Sequence, residues 1–313
     1  MATLISPTQF SAGADAEALH KAFQGWGTDE KSVIAILGHR NVHQRQQIRK
    51  AYEAQYQEDL IKRLESELSG HFERAIYRWM LEEADRDAVL ANVAIRDGIK
   101  GYNVIVEIAS VLSPQQLFAM RLAYQNRYKR SLEEDIASNT SFLIRQLLVG
   151  LVSSYRYGGE EINAKLAKTE ADVLYESVKQ KNGNYEEAIR ILTTRSKTQL
   201  MATFNRYRDE HGSNITKKLL DVSSDEFHKA MHTAIRCLKD PHKYYEKVLR
   251  NAIKKGDEDA LTRVVVSRGE KDMKHIKELY YKRNSVHLEE AITKTTSGDY
   301  KKFILTLLGK QLE

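Results

Sequence analysis

Cysteine, proline and long apolar runs are scarce in this chain of 313 residues, and each scarcity closes off a class of protein. A single cysteine, Cys237, excludes an intramolecular disulfide and fits a reducing compartment. Three prolines and 16 glycines are too few for the turn-dense architecture of a β-sandwich or barrel. No run approaches the ~18 apolar residues of a membrane span. The best stretch, FLIRQLLVGLV, is short and carries Arg145. The opening residues, MATLISPTQFSAGADAE, have neither a basic leader nor a long apolar segment, so no secretory signal is expected. No G-x-x-x-x-G-K-[ST] loop occurs, which removes the usual phosphate cradle of nucleotide hydrolases.

What is present favours helix. Hydrophobic residues make up 42% of the chain, enough for a sizeable core, and Leu, Ala, Glu, Lys, Arg and Gln fill most windows. The 49 basic and 43 acidic residues leave a formal charge of +6. That excess favours anionic surfaces such as phospholipid headgroups or nucleic acid, a well-mixed soluble surface being the plainer alternative.

Internal repetition decides the architecture. Tyr52, Tyr124, Tyr207 and Tyr280 close four similar segments at spacings of 72, 83 and 73. Arg40, Leu112, Arg195 and Arg268 precede them at one fixed offset. Leu60, Leu132, Ile215 and Leu288 follow at a second offset, and Phe72, Ile144, Phe227 and Tyr300 at a third. Asn41, Ser113, Ser196 and Gly269 fall at the equivalent N-cap position, and Gln44, Gln116 and Gln199 complete a capping-box pattern in three units. Pro114 sits where its missing N–H costs nothing, and Gly38 ends the preceding helix. The pattern predicts about five short helices in each unit of roughly 70 residues. The 11 extra residues between the second and third units, around SSYRYGGEEINAKLAKT, suggest two halves of two units each.

The loop FQGWGTDE, Phe23 to Glu30, raises the functional question. Glycines at alternate positions allow the carbonyls of Phe23, Gly25 and Gly27 to turn inward, while Thr28 is expected to cap the next helix with Asp29 and Glu30 near its positive end. Calcium takes six to eight oxygen ligands, so three carbonyls need a carboxylate from elsewhere. Trp26 at the loop tip would sit among headgroups, where tryptophan is favoured. The plainer alternative is a helix connector with Trp26 folded back on the protein.

Four such units, the GxGTDE loop and SGDYKK near the C-terminus resemble an annexin over essentially the whole chain. The short tail, the GHRN segment and the VSSYRY linker are most similar to plant annexins. The resemblance implies an all-α, slightly curved disc of four repeats with about five helices each: a tail at 1–13, repeats at 14–83, 84–155, 169–240 and 241–313, and a linker at 156–168. It implies a cytoplasmic protein, monomeric in solution and free to associate on membranes. Such a protein would bind acidic phospholipid on the plasma membrane or endomembranes when calcium rises, with no nucleic acid partner.

By resemblance the bidentate acid is Glu67, making Phe23, Gly25, Gly27 and Glu67 the metal ligands and Trp26 and Thr28 the lipid contacts. The equivalent acid positions elsewhere are Asn139, Val222 and Thr295. The fourth loop, AIKKGDEDALTR, is two residues shorter than the family's pattern, so only weaker accessory sites around Asp257, Glu258 and Asp299 are expected there. Other family proposals find partial matches. His39 corresponds to a suggested haem ligand, although a lone histidine at a helix end is more often a cap, and no enzyme is expected. Ile189, Arg190 and Ile191 match a tripeptide suggested for F-actin, yet read more naturally as helix core. The plant family's nucleotide motif, Asp followed two residues later by Gly, is absent. Ser110 replaces the second cysteine of a suggested redox pair. Glu107, Arg263 and Asp87 match channel-lining charges, with Leu112 in place of the partner of Asp87, and a role in holding the halves together is the more ordinary one. The open alternatives are therefore a scaffold or ion-conductance protein, or a weak peroxidase or nucleotide hydrolase.

Overall fold

The structure is a computed structural model, and it describes residues 1–25, 27–153, 155–179 and 183–310. Among the described residues every α-helix falls into one of four groups of five. The first holds α1 (Ala12–Ala22), α2 (Glu30–Leu37), α3 (Val42–Tyr56), α4 (Leu60–Glu67) and α5 (Gly70–Met80). The second holds α6 (Glu83–Arg96), α7 (Tyr102–Val111), α8 (Pro114–Tyr128), α9 (Leu132–Asn139) and α10 (Phe142–Ser153). The third holds α11 (Ala164–Ser177), α12 (Glu186–Thr194), α13 (Lys197–His211), α14 (Ile215–Val222) and α15 (Glu226–Lys239). The fourth holds α16 (Pro241–Lys255), α17 (Glu258–Arg268), α18 (Met273–Asn284), α19 (Leu288–Thr295) and α20 (Gly298–Leu307). Among the described residues no strand occurs, and no helix is long and apolar enough to cross a membrane.

The repeat landmarks now have physical roles. The four tyrosines lie on the third helix of each repeat and are buried, three of them completely. Leu60, Leu132, Ile215 and Leu288 are each the first residue of a fourth helix and each is buried, so an apolar side chain fixes where that helix starts. In the first and third repeats the arginine landmark grips the first helix. Arg40 makes a two-point bond to Asp15 at 2.6 and 2.9 Å, and Arg195 bonds Glu170 at 2.7 Å. Asp87 holds the equivalent acid position in the second repeat, where Leu112 cannot answer it. Asp87, Glu107 and Arg263 are all buried and none lacks a partner.

The N-cap residue is the expected one in three repeats, but the full capping box forms in only two of them, and the fourth departs altogether. Asn41 and Ser113 make full capping boxes with Gln44 and Gln116. Ser196 accepts from the Gln199 amide, but the Gln199 side chain turns instead to the backbone of Asn163, tying the linker down. Gly269 is not an N-cap. It ends α17, and α18 starts later, behind Asp272, whose carboxylate binds Arg268. Thr28 is not a cap either: Asp29 caps α2 by accepting from the Ser32 amide at 3.1 Å.

The chain divides into two compact units, Met1–Glu82 with His242–Glu313, and Glu83–Pro241. The first repeat therefore packs with the fourth, and the second with the third. The long linker lies inside the second unit and does not divide the chain into halves, because pairing follows packed helix faces and not chain order. In the first unit α2 and α5 meet α17 and α20; in the second α7 and α10 meet α12 and α15. Both pairings use a glycine facing a threonine methyl. A Cβ on Gly38 would lie 2.8 Å from Thr306 Cγ2, and one on Gly150 would lie 2.9 Å from Thr193 Cγ2. Gly38 ends α2 with ordinary right-handed angles, so close approach, and not backbone freedom, is why glycine stands there.

Candidate metal centre

The first-repeat loop is pinned at both ends. Phe23 is the C-cap of α1, Asp29 the N-cap of α2, and the Asp29 amide donates to Ala22 O at 2.9 Å. Between them Gly25 and Gly27 have φ of 101° and 86°, the left-handed region that a side chain resists. Trp26, the expected lipid contact, lies outside the described residues.

Glu67 reaches this loop because it is the last residue of α4. Its Oε2 accepts from Thr28 Oγ1 at 2.7 Å, and its Oε1 meets Arg63 Nη2 at 2.7 Å. The same Arg63 nitrogen donates to the Phe23 carbonyl at 3.3 Å. One cationic nitrogen thus touches two of the oxygens that the sequence singled out as metal ligands. The C-terminal ends of α1 and α4 both face this point, and their carbonyl-rich termini favour positive charge. The donors are all oxygens, the chemistry a hard cation such as calcium requires, so these residues fit the ion. Arg63 was not among the residues read from sequence as functional. Its signal was there, four residues before Glu67 in RLESE, at a spacing that puts both on one helix face.

The other repeats differ at this place. In the fourth, the closing bond runs from the Asp257 amide to Ala252 O, spanning five residues where the first repeat spans seven. The two missing residues shorten the connection to Gly256 and Asp257, between the end of α16 and the start of α17. Thr295 turns its hydroxyl back to Ala291 O, and Asp257 caps Ala260. Glu258 and Asp299 do come together, lining a cavity of about 350 Å³ with Glu30, Glu67 and His71. Asp257 is not part of that lining. Asp299 pairs with Lys302 at 2.9 Å, and His71 lies 3.4 Å from Glu258. In the second repeat a short 3₁₀ turn, Gly98–Lys100, fills the connection, and the Asn139 amide donates back to Asp135 O. Gln180 and Asn182 of the third lie outside the described residues. A separate convergence of Asp172, Glu210 and His211 in the second unit had no signal as a motif.

The remaining sequence candidates acquire structural settings. Burial first, and then the Arg40 charge, hold His39 below the ordinary imidazole range, so it is neutral near pH 7. Ile189 and Ile191 are buried, and Arg190 pairs with Glu187 at 2.8 Å. Cys237 and Ser110 are both buried.

Among the described residues the fold is all-helical, four repeats of five helices with a glycine loop and a carboxylate meeting at one arginine nitrogen, the architecture of a repeat family that binds phospholipid with calcium. The annexin family signature matches residues 14–79, 90–151, 169–234 and 244–307, and the chain belongs to the annexin family. It is 64% identical to annexin-like protein RJ4 of Fragaria ananassa, over 99% of this chain and 100% of that protein. It is 52% identical to annexin D7 of Arabidopsis thaliana, over 94% of each. The solved structure of annexin III superposes with a TM-score of 0.91 at 32% identity, covering 99% of this chain and 97% of that one. The chain is most similar to plant annexins, and calcium-dependent phospholipid binding is the general property that family and fold carry. The names of these relatives give no enzymatic activity.

Proposed function

We propose that this annexin attaches to acidic phospholipid chiefly through its first repeat. The carbonyls of Phe23, Gly25 and Gly27 and the Glu67 carboxylate hold calcium, while Trp26 and Thr28 face lipid. Calcium, when bound, supplies a divalent bridge whose open coordination positions accept lipid phosphate. The observation that carries this reading is the convergence of Glu67 Oε1 and the Phe23 carbonyl on one cationic nitrogen. Asp29 and the Ala22–Asp29 bond hold the loop ends, and Gly25 and Gly27 take left-handed angles that a side chain resists. One carboxylate with a few carbonyls makes a weak site, towards ~10⁻⁴–10⁻³ M, so affinity depends on lipid being present as well. The shared cavity of Glu258 and Asp299 supports weaker accessory binding in the fourth repeat. In the cell this reading describes a cytoplasmic protein recruited to the plasma membrane or endomembranes as calcium rises.

Co-sedimentation with phosphatidylserine vesicles, with and without calcium, tests it. The wild-type chain is expected to pellet only with calcium, and Glu67→Gln to need at least about tenfold more of it, the effect of losing the one ligand anion. Equal calcium dependence of the two proteins overturns the assignment.

A further inference from the structure

We infer that Arg63 is a built-in competitor for the metal, a cation of the protein's own that must leave before calcium can be held. The inference rests on Glu67 and Phe23 being ligands, and adds who occupies their oxygens beforehand. Arg63 Nη2 sits 2.7 Å from Glu67 Oε1 and 3.3 Å from the Phe23 carbonyl. It therefore donates to two oxygens from separate parts of the chain, the Glu67 carboxylate on α4 and the C-cap carbonyl that follows α1, which a plain i,i+4 surface pair does not do. The second Glu67 oxygen is engaged by Thr28 at 2.7 Å. Bidentate coordination by Glu67 uses both oxygens, and of the two groups now on them only the arginine brings a like charge against the ion.

The structure also provides somewhere for the guanidinium to go. Arg63 Nη1 lies 3.8 Å from Glu58 Oε1, on the side away from the Glu67 contact along α4 and the turn before it. Glu58 is partly exposed and steadied by Tyr52, whose hydroxyl donates to Glu58 Oε2 at 3.4 Å. Arg63 Nε makes no hydrogen bond among the described residues, so apart from a loose contact of the guanidinium over the Phe23 ring, 5.8 Å from its centre, the side chain is held by its outer nitrogens. A shift of the outer fork from Glu67 to Glu58 keeps an ion pair in both states. Arginine in this place therefore sets the calcium threshold upward without disabling the site.

The test is a calorimetric titration of the full-length chain with CaCl₂ in the absence of lipid, repeated as a calcium-dependent shift of the unfolding midpoint. Arg63→Ala is expected to bind calcium about five- to twentyfold more tightly, the effect of removing a unit charge beside a dication in a water-rich setting. Arg63→Lys, which keeps the charge but loses the fork, falls between the two. Glu58→Gln is expected to weaken binding about two- to threefold, and to do nothing in the Arg63→Ala background. Unfolding midpoints without calcium check that the variants fold. Unchanged or weaker binding by Arg63→Ala, while Glu67→Gln loses binding, overturns this inference alone. Wild-type affinity in Glu67→Gln instead removes the site reading beneath it.

Discussion

Glu270 is where the first and fourth repeats depend on a single carboxylate. Its Oε2 bonds Arg45 Nη2 at 2.8 Å, and its Oε1 accepts the Val42 amide, the first of α3, at 2.7 Å. Arg45 is completely buried and stacks on Trp79 with its guanidinium carbon 3.7 Å from the ring centre. Glu270→Ala leaves that guanidinium without this counter-ion and the first α3 amide without its acceptor. Breaking a buried pair costs about 3–5 kcal/mol, and an orphaned amide adds about 1 kcal/mol. The Glu270 side chain is 20% exposed, so water softens the loss, and Arg45 keeps its bond to Arg40 O. The net expectation is about 3 kcal/mol, or roughly 6–12 °C in Tm at the ~2–4 °C per kcal/mol typical of this size. Urea unfolding followed by circular dichroism and intrinsic fluorescence gives the difference directly. Because most of the penalty is a buried charge that has lost its Glu270 counter-ion, Arg45→Met with Glu270→Leu should recover at least half of it. A loss below about 1 kcal/mol, or a double variant no better than the single, would refute the reasoning.

Three further outcomes follow from the packing. Gly38→Ala forces a Cβ to within 2.6 Å of Ile34 O and 2.8 Å of Thr306 Cγ2, and should cost about 1–3 kcal/mol by denaturant melt, with Thr306→Ser restoring part of it. Ser110 Oγ is buried with no hydrogen-bond partner among the described residues, so Ser110→Ala should raise stability, by about 1 kcal/mol, where an ordinary helix serine would change little. Asp59 caps α4, the helix that carries Glu67; burial raises its carboxyl, but Arg49 and the Lys62 and Ile61 amides outweigh that and hold it below 3.8. A depressed folded value means its charge stabilises fully above pH ~3.8 and is lost as pH falls through the lower folded value. The stability gap between wild type and Asp59→Asn should accordingly stay constant from neutral pH to about pH 5 and close in stronger acid, as measured by urea melts.

The helices were legible because burial recurs at fixed offsets: an apolar residue must start every fourth helix and a tyrosine must anchor every third. The same copying misled at Gly269, where register was right but Asp272, held by Arg268, starts the helix instead. At the loop, Thr28 and Asp29 both suit an N-cap by type. The choice was made by Glu67, a tertiary neighbour that takes the Thr28 hydroxyl. The pairing of repeats was out of reach, since chain order records connection while the partner faces depend on glycine–threonine contacts distant in sequence. The shortened fourth loop was visible as two missing residues, and the structure shows the same two missing from its closing bond. Arg63 escaped notice because half of its meaning is a carbonyl 40 residues away.

The most direct measurement is a crystal structure of the chain grown or soaked in millimolar calcium. The account predicts an ion about 2.3–2.6 Å from both Glu67 carboxylate oxygens and from the carbonyls of Phe23, Gly25 and Gly27, with the Arg63 guanidinium moved towards Glu58. An ion bound only in the fourth repeat, or a first-repeat loop in which Arg63 still holds Glu67 at saturating calcium, would contradict it.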